Sequence, residues 1–132
     1  MSATPIRPSD GELAILRVLW SRGPSTVRDV HTELSKDRDM GYTTVLKLMQ
    51  IMVDKGLVAR DERARSHTYR HLQGEVATQQ CLLKELLHKA FAGNRRDLVL
   101  QALESEPASA EELEDIRRLL KAAKHTPEGR PR

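Results

Sequence analysis

Residues 41–58, GYTTVLKLMQIMVDKGLV, constrain the fold of this chain more than any other stretch. Seven of the nine residues from Val45 to Val53 are apolar, and Gly56 then cuts the run. Within a few residues the chain becomes basic and β-prone: ARDERARSHTYRH. Read with helical periodicity, Val45, Met49 and Met52 share one side, with Leu48 beside them. Thr43, Thr44, Lys47, Gln50, Ile51 and Asp54 are left on or near the outer face. The spacing predicts a helix from about Thr43 to Lys55, closed by Gly56 as a left-handed C-cap. The segments LVARDER and SHTYRHL then read as two strands that meet near Ala64–Ser66.

Two shorter helices precede this unit. Ser9 and Glu12 have the spacing of a capping box, in which each side chain bonds the other residue's backbone N–H. Leu13, Leu16, Leu19 and Trp20 follow at the spacing of one helix face, and Arg22–Pro24 ends it. Thr26 and Asp29 form a second capping box, and Val27, Val30 and Leu34 line a helix running to about Ser35. The order helix, helix, helix, hairpin is that of a winged helix-turn-helix.

Beyond Gly74 the pattern is helical only. Val76, Leu83, Leu87 and Ala90 form a stripe that Leu82, Leu86 and Phe91 widen, and AGN at 92–94 breaks it. Leu98, Val99, Leu100, Ala102 and Leu103 mark a second helix ending near Pro107. Ser109 caps a third, with Leu113, Ile116, Leu119 and Leu120 as its apolar face. Three separate helices with wide apolar faces and few aromatics make a poor core of their own, and burial against a second chain explains them better. The expected fold class is mainly α with a small β-hairpin. It comprises a disordered tail at 1–8, a winged-helix domain at 9–73, a helical dimerisation region at 74–124 and a disordered tail at 125–132.

Charge follows the same division. Residues 1–73 hold twelve Lys/Arg against nine Asp/Glu, and residues 74–132 hold ten of each, so the whole excess of +3 lies in the first part. An acidic partner would meet that part. The single cysteine, Cys81, excludes an internal disulfide, reads as a small apolar residue and suits a reducing cytoplasm. No run approaches the length of a membrane span or a signal peptide. His67 and His71 are about 13 Å apart along a strand, and no paired ligand spacing exists, so neither a metal nor a cofactor is expected. Catalysis has no support either, because no phosphate-cradling loop and no convergent set of carboxylates is apparent.

Two features carry a binding function. A helix laid in the major groove presents its N-terminal side chains to base edges, and Thr43, Thr44 and Lys47 occupy the first two turns of the expected helix. An Arg- and Ser-rich hairpin tip can meet backbone phosphates. Each feature also fits a plainer reading, as the solvated side of an amphipathic helix and as a charge-guarded edge strand. The order of elements favours DNA.

The motifs ELAILRVLW, GPSTVRDV, YTTVLKLMQIMVDKGLV and RSHTYR resemble the penicillinase-repressor family of bacterial transcription factors (BlaI/MecI/CopY type). The resemblance spans about residues 9–123. It implies a winged-helix domain that binds double-stranded operator DNA and a helical region that makes the homodimer. Carried onto this chain, it places Tyr42, Thr43, Thr44 and Lys47 at the DNA-facing side of the recognition helix. Thr26 and Arg28 become phosphate contacts, and Arg63, Arg65, Ser66 and His67 belong to the wing. Val76, Leu83, Leu86, Leu87, Ala90, Phe91, Leu98, Leu103, Ile116 and Leu120 become the dimer interface.

Three departures modify what the family implies. Ile51 stands where relatives often carry Arg, and Val53 and Asp54 where they are more basic, which shifts the grip on phosphate towards Lys47 and the wing. An inactivating protease is a candidate partner, but the bond matching the family's Asn-Phe cleavage site is Gln101–Ala102. The C-terminal cysteine cluster of the copper-responsive branch is missing. The resulting expectation is a cytoplasmic, homodimeric, sequence-specific repressor on a pseudo-palindromic operator, controlling an antibiotic-resistance or stress-response gene. Its alternatives are a ligand-sensing winged-helix regulator and a winged-helix protein-interaction module.

Overall fold

A computed structural model describes residues 4–123. The elements run α1 (Asp10–Arg22), α2 (Val27–Leu34), α3 (Tyr42–Lys55), β1 (Val58–Asp61), β2 (Thr68–His71), α4 (Glu75–Lys89), α5 (Arg95–Ser105) and α6 (Ala110–Ala122). The expected fold class, mainly helical with one hairpin, is the one observed. Both strands are shorter than the sequence suggests, because pairing stops at Asp61↔Thr68 and leaves residues 62–67 as the wing tip.

The helix starts follow from side-chain chemistry. In α1, Ser9 Oγ accepts from the Glu12 N–H at 3.3 Å, and Glu12 Oε1 accepts from the Ser9 N–H at 2.9 Å. In α2, Thr26 Oγ1 and the Asp29 carboxylate make the same reciprocal pair, each at 3.1 Å. Each box satisfies donors that a helix N-terminus otherwise leaves unpaired. The far end of α3 closes on Gly56, whose φ of 85° and ψ of 14° lie in the left-handed region. There the Leu57 N–H donates to Met52 O at 2.9 Å and the Gly56 N–H to Val53 O at 3.1 Å, the Schellman pattern. Met52 and Leu57 are both fully buried, so the cap also supplies the accompanying apolar contact.

The core of the first compact unit, Met1–Leu86, gathers Ile15, Leu16 and Leu19 from α1, Val27, Val30 and Leu34 from α2, and Val45, Met49 and Met52 from α3, with Leu57, Val58 and Tyr69 from the hairpin. The apolar side expected of α3 is the buried one. The buried arc of α1 is wider than its expected face: Ile15 is fully buried as well, while Leu13 is only half-buried. Both α2 and α3 pack on α1, so it must bury two sides.

Glu12 takes a second partner that its capping role does not reveal. It is 2% exposed and accepts two hydrogen bonds from Lys55 Nζ, at 2.8 and 3.1 Å. Burial by itself would raise its pKa, but the bonds from Lys55 and from the Ser9 N–H outweigh that and hold the carboxyl below its usual value. This ion pair ties the start of α1 to the end of α3.

The expectation of a disordered tail at 1–8 needs correction for residues 5–8. The Ile6 N–H donates to Gln73 Oε1 and Ile6 O accepts from Gln73 Nε2, both at 2.7 Å. Pro8 is buried, and Arg7 pairs with Glu85 of α4 at 2.6 Å. The proline and charge of the N-terminal segment concealed partners that lie more than sixty residues away. Residues 1–3 and the tail at 125–132 lie outside the described residues.

The second compact unit is Leu87–Arg132. The division therefore falls inside α4, later than the boundary after Gln73 that charge suggests, because the first turns of α4 bond Gln73 through Thr78 and Arg7 through Glu85, and Thr78 is completely buried. Asn94 caps α5 by accepting from the Asp97 N–H, and Ser109 caps α6 by accepting from the Glu112 N–H, both at 3.0 Å. Neither α5 nor α6 buries a single residue in the isolated chain.

Candidate nucleic-acid interface

The turn between α1 and α2 builds this site. Ser25 is buried and forms an isolated antiparallel bridge with Tyr69: its N–H donates to Tyr69 O at 3.0 Å, and the Tyr69 N–H donates back at 2.8 Å. Ser25 Oγ donates to Gly23 O at 2.8 Å and fixes the turn. The hairpin thus gains a third, one-residue edge. That edge holds the N-cap of α2, Thr26, against strand β2.

The consequence is a cleft of about 340 Å³ lined by Thr26, Val27, Arg28, Tyr42, Leu46, Arg65, Ser66, His67 and Tyr69. Six of the ten residues expected at the DNA side line this one cleft: Thr26, Arg28, Tyr42, Arg65, Ser66 and His67. They come from three separate parts of the chain. Two residues with guanidinium groups, two with aliphatic hydroxyls, two with phenolic hydroxyls and one with an imidazole line it, and no carboxylate does. A polyanion backbone is the chemistry such a donor set suits.

Thr43, Thr44 and Lys47 do not line the cleft. They stand on the exposed face of α3 beside it, with Gln50, Ile51 and Asp54, all exposed as the periodicity requires. Tyr42 joins the two regions. Its ring meets His31 of α2 edge-on, 5.8 Å between centroids and 81° between planes.

Charge in the wing is less available than its composition implies. The guanidinium of Arg63 donates to both oxygens of Asp61, with the shortest bond 2.7 Å, and the Arg63 N–H adds a third contact at 3.0 Å. These bonds hold the Asp61 carboxyl down to about 2. Arg60 is similarly engaged with Glu62 at 2.6 Å. Among the described residues, Arg28, Lys47 and Arg65 make no ion pair or hydrogen bond through their side chains, so these three cations face solvent uncompensated. The N-cap Thr26 N–H is occupied by Asp29, whose pKa is lowered chiefly by that bond and further by Arg22, 3.5 Å away.

Sequence reading missed Val27, Leu46 and Tyr69 as lining of the cleft, and Ser25 as the residue that anchors it. Val27 and Leu46 carry apolar side chains with no phosphate-binding signal, Tyr69 lies in a strand whose inward face the sequence does not identify, and the Ser25 bridge is made by backbone atoms, which leave no residue signature. Among the described residues no three His, Cys, Asp or Glu come together as metal ligands, and no helix is long and apolar enough to cross a membrane.

Of the ten residues expected at the dimer interface, none is buried in the isolated chain. Val76, Leu83, Leu86, Ala90 and Leu120 are exposed, and Leu87, Phe91, Leu98, Leu103 and Ile116 are half-buried. Val99, Leu100, Leu113 and Leu119 are exposed with them.

The family model for the penicillinase repressor matches residues 8–122. Transcriptional regulator BlaI of Mycobacterium tuberculosis is 35% identical over 116 residues, covering 86% of this chain and 83% of that protein. Methicillin resistance regulatory protein MecI of Mammaliicoccus sciuri is 24% identical over 112 residues, covering 85% and 91%. Among solved structures, the monomeric form of Bacillus licheniformis BlaI in complex with the blaP half-operator matches 58% of this chain and 93% of that one, at 25% identity and a TM-score of 0.49.

Proposed function

Since this chain belongs to the penicillinase repressor family, we propose that it represses transcription by binding operator DNA as a homodimer, one winged-helix unit on each half-site. It is a DNA-binding regulator and not an enzyme. The observation that carries the detailed reading is the cleft of Arg28, Arg65, Thr26, Ser66 and His67 beside the exposed face of α3. In this reading α3 enters the major groove. Thr43, Thr44 and Lys47 meet base edges, where Lys suits guanine and Thr a base edge or thymine methyl. The cleft takes the backbone phosphate next to that groove, and Arg28 and Arg65 supply its charge. Arg63 contributes less, because Asp61 already holds it.

The apolar residues of α4, α5 and α6 support the dimer. Leu83 and Leu86 of α4, and Leu100, Leu113, Leu119 and Leu120 of α5 and α6, are large apolar side chains left exposed in one chain, and burial against a second copy would remove them from water. Two-fold symmetry then requires half-site centres about 10 bp apart, or a multiple of that. Repression follows from occupation of promoter DNA and needs no cofactor. The regulated genes are those of β-lactam resistance, the process for which relatives are named. The site of action is the cytoplasm, where the promoter is. Induction by an inactivating protease belongs to the same reading. Gln101 and Ala102 are exposed but sit inside α5, so cleavage there requires that helix to unwind locally.

Base reading and phosphate holding separate in one experiment. Lys47→Ala is expected to weaken operator binding and relax base preference. Arg65→Ala is expected to weaken operator and random DNA alike and to reduce the salt slope by about 0.9, the value for one lost phosphate contact. Fluorescence anisotropy across a salt series measures both. Weak, salt-insensitive binding of the unaltered protein to every duplex would overturn the reading in favour of a protein-interaction module.

A further inference from the structure

Gln73 stands at the junction between β2 and α4, and its side chain bonds both neighbours of that junction. The carboxamide of Gln73 makes three hydrogen bonds: Oε1 accepts from the Ile6 N–H at 2.7 Å, Nε2 donates to Ile6 O at 2.7 Å, and Nε2 also donates to Thr78 Oγ1 at 2.9 Å. Towards Ile6 it behaves as a substitute peptide group, pairing with both the N–H and the C=O of an extended residue. Thr78 is fully buried in the first turn of α4, and its hydroxyl donates to Gly74 O at 2.9 Å. The backbone of Gln73 is held as well. Its carbonyl accepts from Trp20 Nε1 at 3.0 Å, and its N–H donates to Leu57 O at 3.3 Å. One residue therefore joins α1, the start of the hairpin, the N-terminal segment and α4. Arg7–Glu85 adds a second tie two turns further along α4.

Without these bonds the linker would be a swivel. Gly74 follows directly, has no side chain to restrict rotation, and has nothing within 4 Å of the place a Cβ would occupy. Rotation of α4 about Gly74 would break the Ile6 pair or the Thr78 bond. Both ends of the clamp belong to the same compact unit, so the first turns of α4 move with the winged helix.

We propose that Gln73 is a positioning residue for operator binding, which locks the first turns of α4 to the DNA-binding unit so that dimer contacts enforce joint occupation of two half-sites at one spacing. The inference rests on the homodimer reading above. The physical argument is one of effective concentration. A second recognition helix held rigidly at the correct distance and rotation binds far more readily than one that swings through many orientations. Gln73 touches no base and no phosphate in this scheme. Its contribution appears only when two half-sites are linked.

The test uses the full chain and three duplexes: one half-site, two half-sites at the native spacing, and two with one added base pair. Gln73→Met keeps the length and volume of the side chain but removes all three hydrogen bonds. It is expected to leave half-site affinity within about twofold, to reduce the advantage of two half-sites over one by about tenfold, and to flatten the penalty for the added base pair. Thr78→Val, which removes the hydroxyl and with it the bonds to Gln73 and Gly74 but keeps the Gln73–Ile6 pair, is expected to move the same ratio by about threefold, and it gives the result independently if the Gln73 variant does not fold. Unaltered protein that binds two half-sites no better than one would overturn the homodimer reading itself. Normal coupling in the unaltered protein together with an unchanged ratio and spacer penalty in both variants would overturn the clamp alone. An equal loss on half-site and full operator would also overturn it, since Gln73 would then serve only the stability of the domain.

Discussion

Replacing Lys55 with Met tests whether the Glu12–Lys55 pair holds the recognition helix in place. Methionine keeps most of the aliphatic stem and removes the ammonium, so the change isolates charge and hydrogen bonding. Glu12, 2% exposed, loses both bonds from Lys55 Nζ and keeps its contacts with Ser9. Stranding one partner of a buried ion pair costs about 3–5 kcal/mol. The Lys55 side chain is 42% exposed, so water can replace part of what the ammonium supplied, and about 1.5 kcal/mol is the expected loss at pH 7. For a folding unit of this size that is a fall in Tm of about 6–12 °C. The sign of the pH dependence gives a sharper test. The folded pKa of Glu12 is lowered in the unaltered protein, so the stabilisation is complete above the ordinary carboxylate value of about 4.3 and disappears as pH falls through the depressed folded value. In Lys55→Met burial prevails, the carboxyl shifts upward and protonates first, and the difference between the two proteins shrinks between about pH 5 and pH 3. Urea unfolding at pH 7 and pH 4, at one fixed protein concentration because dimerisation adds to stability, measures both differences. Adding Glu12→Gln should recover part of the loss, since Gln can still accept from the Ser9 N–H. An equal destabilisation at the two pH values, or one below about 0.3 kcal/mol, would refute the argument.

Asp61→Asn should release Arg63, strengthen binding to random DNA and steepen the salt dependence by about one phosphate's worth, read by anisotropy; an unchanged slope would mean that Arg63 does not approach DNA. Because the Asp61 carboxyl titrates at about 2, the pair stays closed across the working range, and no pH change from 5 to 8 should mimic the mutation. Gly56→Ala meets no atom within 4 Å but forces alanine to φ 85°, so it should cost about 1–2 kcal/mol in thermal or urea unfolding; a loss below about 0.3 kcal/mol would contradict the backbone argument. Leu87→Asp puts a charge on the apolar stripe of α4 and should dissociate the dimer, and sedimentation that still finds a dimer at low micromolar concentration would move the interface elsewhere.

Much of the fold was legible because it depends on neighbours in sequence. Ser9 with Glu12, Thr26 with Asp29, and Ser109 are caps that work within three residues, and each starts its helix where the pattern says. Gly56 ends α3 for a reason confined to one backbone torsion. The 3.6-residue period identified Val45, Met49 and Met52 as the buried side of α3, and so left Thr43, Thr44 and Lys47 outside. The same period marked the stripes of α4, α5 and α6, and the exposure of those stripes in one chain is what a sequence short of a self-contained core leads one to expect.

Other features required residues distant in the chain to meet. Composition made the wing a cluster of arginines; geometry paired Arg63 with Asp61 and Arg60 with Glu62, and left Arg65 free of such pairs. Ser25 reached Tyr69 through backbone atoms, which every residue possesses and no motif encodes. Proline and charge made the N-terminal segment look like a loose tail, until Gln73 supplied both hydrogen bonds that Ile6 needed. Glu12 was visible as a cap and invisible as the counter-ion of Lys55, forty-three residues later. Local propensity, capping and periodicity are properties of a few adjacent residues, so the sequence alone determined where the capped helices begin, where α3 ends and which side of α3 is apolar, while the wider buried arc of α1 came from its packing on two helices. Which charges remain available to DNA, and whether the linker to α4 swivels or locks, depends on which partners come within about 3 Å, and only the tertiary structure decided that.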